Sequence, residues 1–305
     1  MKALSIVIPV FNEAENLEHT LKSIRETEGC PVDIIVVDDH SEDGYPYGQL
    51  VTEYNIRLIE NEKRIGPAMC REKGIREVTT PYLLTIDGHM RFHDDDWCGK
   101  ITGCLEENDR RICCCQTEVL DQNWNVEKRA LTYGAGIQFK GSAEKVLEPV
   151  WMRQDSQPAL SLTEIPCVLG ATYFTSKCYW HYLRGLEGLK LYGCEEPYIS
   201  IKAWLEGGGC HLLKSVVIGH IYRDVLPFSV PYDRFLYNKL LIAELLLPVW
   251  LKREIYEKLE RNYPREFKEA KGCLIQESSQ IKELKKYYLS TFKGNAEDYL
   301  SQNNI

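Results

Sequence analysis

With 305 residues the chain can bury a large core, as one domain with an appendage or as two domains. Its 44% hydrophobic and 27% charged residues match an ordinary soluble globular protein. The net charge of −8, without a Lys/Arg run, argues against a nucleic-acid partner, so an anionic ligand would need a local cation, an arginine or a helix N-terminus.

In chain order, "LSIVIPV" from Leu4 predicts the first strand. Asn12, with Glu15 three residues on, predicts a helix start, and Leu17, Leu21 and Ile24 follow at helical spacing. "DIIVVDD" and "IRLIE" predict two more strands, "GPAMCREKGIREV" a helix, and "YLLTID" a fourth strand, after which Asp94 to Asp96 should open another helix. Near-continuous Val/Ile runs separated by helices predict an α/β protein with a parallel sheet covered on both faces. Residues 110 to 230 read as mixed strands and loops with one helix, "EEPYISIKAWLEG". From about Arg234 the chain turns helical and charge-rich, which predicts a domain over 1–232 and a helical extension over 233–305.

Twelve cysteines invite a disulfide framework, but there is no CxxC pair, and Cys113, Cys114 and Cys115 are adjacent, so in a strand they face alternate sides. The expectation is reduced, mostly buried thiols in a cytosolic protein. "MKALSIVIPVFNEAEN" has too short an apolar run for a signal peptide, and no window approaches the ~20 apolar residues of a membrane span.

Sheets of this kind bind ligands at the carboxyl ends of their strands. Here those ends are polar: Asn12-Glu13 after the first strand, Asp38-Asp39-His40-Ser41 after the second, and Asp87-Gly88-His89 after the fourth. Three acidic clusters at strand ends should converge on one crevice. In extended chain Asp87 and His89, two positions apart, point the same way, and an acid beside an imidazole suits a metal. Neither GxGxxG nor GxxxxGK[ST] follows the first strand, so the dinucleotide fingerprint and the P-loop are both missing. His19, His40, His93, His181 and His211 read as structural.

"IPVFNEAENLEHTLKSI", "VVDDHSEDG" and "LLTIDGHMRF" resemble the nucleotide-binding half of GT-A fold glycosyltransferases of family 2. "VLGATYFTSKCYW", "LYGCEEPYISIKAWLEGGG" and "IGHIYRDVLPFSVP" resemble segments of the polypeptide N-acetylgalactosaminyltransferases, where Asp-x-His, Gly-Gly-Glu-Asn and Gly-His-Val-Phe-Arg motifs occur in this order. The resemblance covers roughly residues 3 to 232. It implies a GT-A fold, a Rossmann-like mixed sheet flanked by helices, with Asp87, His89 and His220 binding Mn²⁺ or Mg²⁺ under a nucleotide diphosphate.

By the same resemblance Asp39 accepts the uracil N3–H while Asp38 orients the loop, although the two could exchange roles. Pro9, Phe11 and Glu13 flank base and ribose, and Gly88 lets the nucleotide lie against backbone. Arg71 corresponds to the arginine of an Ala-Arg-Asn-x-Gly run, with Glu in place of Asn here, and reaches the nucleotide; Arg223 meets the diphosphate. Gly170 and Ala171 form a small pair beside the donor sugar, Tyr192 and Gly193 shape the same pocket, and "YRDVLPFSVP" resembles a loop that closes over the nucleotide. Glu195 and Glu196 are the catalytic pair. Glu-Glu matches neither the Glu-Asp of inverting relatives nor the Glu-Asn of retaining ones, so which acid is the base stays open.

The function implied is transfer of a sugar of the GalNAc, Gal, GlcNAc or Glc class from a UDP-sugar to a hydroxyl. Without the lectin domain and anchor of the animal enzymes, a glycan or lipid-linked acceptor in surface polysaccharide or glycolipid synthesis is the expectation. The amphipathic "FLYNKLLIAELLLPVWLKREIYEKL" would then pack on the catalytic domain, pair subunits or dock at a cytoplasmic membrane face. A nucleotide-sugar hydrolase and a non-catalytic sensor are the competing classes.

Overall fold

The computed structural model describes residues 3–127, 131–223 and 228–303. In chain order its elements are β1 (Leu4–Val10), α1 (Glu15–Thr27), β2 (Asp33–Asp38), α2 (Tyr47–Glu53), β3 (Arg57–Glu60), α3 (Pro67–Arg76), β4 (Tyr82–Ile86), β5 (Met90–Phe92), α4 (Trp97–Glu107) and β6 (Ile112–Leu120). They continue as β7 (Ala135–Ile137), β8 (Pro149–Trp151), β9 (Leu162–Ile165), β10 (Thr172–Ser176), α5 (Lys177–Tyr182), α6 (Glu195–Glu206) and β11 (Cys210–Ile221). Five helices end the chain: α7 (Tyr232–Leu246), α8 (Val249–Asn262), α9 (Pro264–Gln276), α10 (Ser278–Thr291) and α11 (Ala296–Gln302).

The main sheet runs β3-β2-β1-β4-β10-β6-β11-β5, with β9 also paired to β11. β1 is parallel to β2 and β4, and β2 to β3, as the Val/Ile runs predict. β10 then enters antiparallel between β4 and β6, which makes the sheet mixed. Strand alternation divides the core in two. Val7, Ile35, Val37, Leu83 and Cys114 face a layer built from α3, α5, α6 and α7. Ile6, Ile8, Ile34, Val36, Leu84, Cys113 and Cys115 face α1 and α4. Each buried aliphatic side chain contributes about 1.5–3 kcal/mol, so the two layers dominate stability.

Several expectations change. α1 begins at Glu15 with Ala14, which offers no capping side chain, at its N-cap, because the Asn12 side chain instead accepts from Glu42 N at 2.8 Å. α4 begins only at Trp97, with no acidic residue in its first turn. The segment after 110 holds a second helix, α5, capped by the Ser176 hydroxyl. The long C-terminal amphipathic run breaks at Leu247-Pro248 into α7 and α8, since proline cannot continue a helix. α7 buries Leu236 through Ala243, so this part of the run packs inside the protein, whereas Val249 and Trp250 at the start of α8 stay exposed. Among the described residues no helix is long and apolar enough to cross a membrane.

The cysteines are mostly buried thiols as expected, with one correction: Cys30 and Cys98 form a disulfide across 68 positions. Folding brings the turn after α1 beside the start of α4, a proximity that cysteine spacing does not encode. The bridge removes the cysteine argument for a reducing compartment.

Candidate active site

Strand ends β1, β4 and β11 and the N-terminus of α6 meet around a cavity of about 370 Å³. That volume lies within the usual range for small-molecule sites. Its walls include Pro9, Phe11, Glu13, Asp39, Arg71, Asp87, Gly88, His89, Gly170, Ala171, Tyr192, Gly193, Glu195, Glu196, His220 and Arg223. Every sequence-predicted site residue therefore lies on one crevice, and the acids at three strand ends do converge. Asn12, Ala14 and Cys194, none of them glycine, hold positive φ of 54°, 45° and 71° around it. Such backbone costs about 1–3 kcal/mol per residue and is held by its surroundings.

At its centre Asp87, His89 and His220 bring one ligand atom each to within 4.8 Å of one another. β11 pairs antiparallel with β5, which sets His220 opposite Met90 and beside the β4–β5 turn. The two imidazoles stack with centroids 4.9 Å apart. His89 Nδ1 lies 3.2 Å from Glu13 Oε2, and Arg223 grips the same carboxylate through 3.1 and 2.5 Å contacts. With Nδ1–H given to an ionised Glu13, Nε2 of His89 keeps its lone pair. Burial alone would push the Glu13 carboxyl up; His89 and Arg223 more than offset it, so it titrates below its ordinary value.

Arg71, fully inside the protein, donates to Thr85 Oγ1 and Asp87 Oδ1 at 2.9 Å each. Burial opposes ionisation of Asp87, but His220 and Arg71 outweigh it and hold this carboxyl well below the usual range. Burial also lowers His220, leaving a neutral imidazole. Both His220 ring nitrogens lack a hydrogen bond, with Nε2 3.6 Å from Asp87 Oδ2. An imidazole buried in this way costs about 1–3 kcal/mol. A neutral imidazole without partners, a second imidazole with a free nitrogen and an ionised carboxylate together fit a divalent cation.

The nucleotide-side residues are more constrained than the sequence suggested. Asp39 Oδ1 accepts from Asn61 Nδ2 and Ile65 N, and Oδ2 from Gly66 N, which leaves a lone pair on Oδ2. Asp38 instead binds Ser41 N and Oγ and shapes the loop. At Gly88, which lines the cavity, a Cβ would lie 2.9 Å from Glu13 Cγ and 3.2 Å from Val10 Cγ1. Glycine is required to admit Glu13. The same holds at Gly170, where a Cβ would lie 1.7 Å from Glu196 Oε1, so the glutamate occupies that space.

Glu195 and Glu196 open α6. Burial, then the neighbouring Glu196, pushes the Glu195 carboxyl up to about 8, and its Oε1 has no hydrogen-bond partner. Burial raises Glu196 as well. Residues 224–227 of the closing-loop run lie outside the described residues; of its described part, Phe228 meets Tyr192 at 5.5 Å and Phe11 at 6.0 Å. Sequence reasoning missed Arg64, whose guanidinium lies 4.1 Å from the Phe11 ring centroid and 4.5 Å from that of Phe228. It also missed Glu148 and Trp151, which enter the cavity from the β7–β8 hairpin. No motif marks these three residues.

Residues 5–163 match glycosyl transferase family 2. Polypeptide N-acetylgalactosaminyltransferase 4 of Mus musculus is 27% identical over 282 residues, covering 88% of this chain and 47% of the relative. Polypeptide N-acetylgalactosaminyltransferase 10 of Homo sapiens is 26% identical over 242 residues, covering 74% and 39%. The chain thus spans less than half the length of these relatives. The crystal structure of GalNAc-T7 with UDP, GalNAc and Mn²⁺ superposes with a TM-score of 0.76 at 17% identity, over 99% of this chain and 56% of that one. That of S. aureus TarS 1–349 in complex with UDP-GlcNAc gives 0.56 at 15%, over 99% and 93%. These likenesses concern the fold, which is GT-A. Together with the match over residues 5–163, they lead to one assignment: the chain belongs to glycosyl transferase family 2.

Proposed function

We propose that the protein is a metal-dependent glycosyltransferase that moves a sugar from a UDP-sugar to a hydroxyl. The observation that carries this reading is the Asp87–His89–His220 cluster at the strand ends, with its unpartnered His220. The ligands named for GalNAc-T7 (UDP, GalNAc and Mn²⁺) and for TarS (UDP-GlcNAc) support the donor class. Bound by these three side chains, Mn²⁺ or Mg²⁺ would neutralise the leaving diphosphate.

The chain's own groups have separable tasks. Glu13 orients His89 and holds Arg223, whose cationic head borders the cavity. Arg71 holds Asp87 ionised. The free lone pair of Asp39 accepts the uracil ring N–H, and Phe11 lines the wall beside it. In the transfer, the acceptor hydroxyl gives its proton to a carboxylate and its oxygen bonds to the anomeric carbon. The bond from that carbon to the diphosphate breaks, with the electron pair leaving on UDP. Glu196 is the proton acceptor in this reading, since it is the more exposed of the pair. Glu195, protonated below about pH 8, serves as a hydrogen-bond donor.

Calorimetry with UDP-GalNAc, UDP-GlcNAc, UDP-Gal and UDP-Glc, with and without Mn²⁺, tests the reading. Tight binding of at least one donor only with metal is expected, followed by UDP release once a hydroxyl acceptor is supplied. Metal-independent binding would refute the cluster's role. UDP release at full rate without an acceptor would make the protein a hydrolase.

A further inference from the structure

Trp151 is 46% exposed, unusual for the largest apolar side chain, and it stands at the wall of the active-site cavity. Its ring meets Tyr222 at 5.0 Å, and Tyr222 meets His220 at 4.3 Å, so the indole is one ring removed from the metal-ligand cluster. Among the described residues no other ring or cation packs on it. Three positions earlier, Glu148 lines the same cavity. Lys239, completely buried in α7, lies 3.0 Å from Glu148 Oε1, and no hydrogen bond to Oε2 forms among the described residues.

This hairpin is held firmly. Lys239 also donates to Glu144 O and Val146 O at 2.6 and 2.7 Å. Asn303, just beyond α11, donates to Ile137 O and accepts from Ile137 N, each at 2.9 Å, clamping β7. Ala135, in turn, pairs with both Trp151 and Cys167. The last helices thus fix one short hairpin, at the cost of burying a lysine and an asparagine; a merely structural hairpin would not require its indole to stay uncovered.

We propose that the β7–β8 hairpin is the acceptor platform and that the acceptor is a saccharide. A pyranose presents a face of C–H bonds, weakly positive, which suits the negative face of an indole, and edges of hydroxyls, which donate to a carboxylate. Trp151 supplies the first and Glu148 Oε2 the second. A lipid tail would be opposed by the carboxylate in the same wall. The inference rests on the transferase reading and names the substrate class of that site.

Saturation-transfer NMR on the full chain with Mg²⁺ and UDP, using methyl glycosides of glucose, galactose, N-acetylglucosamine and N-acetylgalactosamine as probes, tests it. At least one glycoside should receive saturation at its ring protons. Trp151→Ala should cut that signal at least fivefold, Trp151→Phe should restore at least half of it, and Glu148→Gln should weaken it. UDP affinity should stay within twofold in all three variants. No saturation on any glycoside, a signal that survives Trp151→Ala, or a parallel loss of UDP affinity would overturn the platform. Failure of the wild type to bind UDP with Mg²⁺ would instead bring down the transferase reading beneath it.

Discussion

Glu13 and His89 are 76 positions apart in the chain, yet a carboxylate oxygen of the first lies 3.2 Å from Nδ1 of the second. Arg223, another 134 positions beyond His89 in the chain (223 − 89), closes on the same carboxylate at 2.5 Å. One acid therefore couples a metal-ligand ring on the β4–β5 turn to an arginine beyond β11. Removing an orienting partner of a ligand histidine typically costs about 10–100-fold in metal affinity. Glu13→Gln should weaken Mn²⁺ binding by that factor in calorimetry. Unchanged affinity would mean that Glu13 does not orient His89.

Replacing His220 by alanine should lower Mn²⁺ affinity and UDP release together, by at least about tenfold. The circular dichroism spectrum should be retained, because the deleted ring has no hydrogen bonds to lose. An active variant with normal metal binding would take His220 out of the ligand set.

Gly170→Ala would force the Glu196 carboxylate from its place, since the new Cβ would fall 1.7 Å from Oε1. A misplacement of about 1 Å in a catalytic group costs on the order of 100-fold in rate. UDP release during transfer should fall by roughly that factor, while UDP affinity measured by calorimetry stays near wild type. A fully active Gly170→Ala protein would exclude Glu196 as the proton acceptor.

The pH dependence of stability carries a signature of Glu195. Its folded-state value, about 8, lies above the ordinary 4.5, so between those pH values the folded chain keeps a proton that the unfolded chain has released. Stability from this carboxyl is complete below the lower value and is lost as pH rises toward the upper one, by up to about 1.4 kcal/mol per pH unit. Glu195→Gln cannot titrate. Urea unfolding at pH 5, 6.5 and 8 should therefore show wild type losing ground to the variant as pH rises; a constant difference would contradict a protonated Glu195.

The Cys30–Cys98 bridge closes a loop of 68 positions. Chain-entropy arguments put the stabilisation at about 4 kcal/mol for a loop of this size. Reduction, or Cys98→Ser, should lower the urea midpoint by an equivalent amount. A midpoint insensitive to reductant would mean that the bridge adds nothing to folding.

Much of the fold was legible because its signals are local. The Val/Ile runs at Leu4–Val10, Asp33–Asp38 and Tyr82–Ile86 need both faces covered, and only a parallel sheet between helix layers does that. Cys113 to Cys115 alternate between the two layers for the same reason. The helix start at Asn12 was misread because its side chain is used by the loop at Glu42, a partner 30 positions away. The disulfide, likewise, depends on a fold-level approach of two turns.

By itself, then, the sequence determined the first four strands, the polar ends of β1, β2 and β4, and the residue types able to hold a cation. Those are properties of adjacent positions, set by side-chain alternation and burial. Only the tertiary structure decided that Glu13 serves His89 and Arg223, that the Gly88 and Gly170 vacancies belong to glutamates, and that Trp151 and Glu148 reach the cavity. Each of these depends on which atoms occupy a volume shared by segments distant in the chain, and packing, not spacing, sets that occupancy.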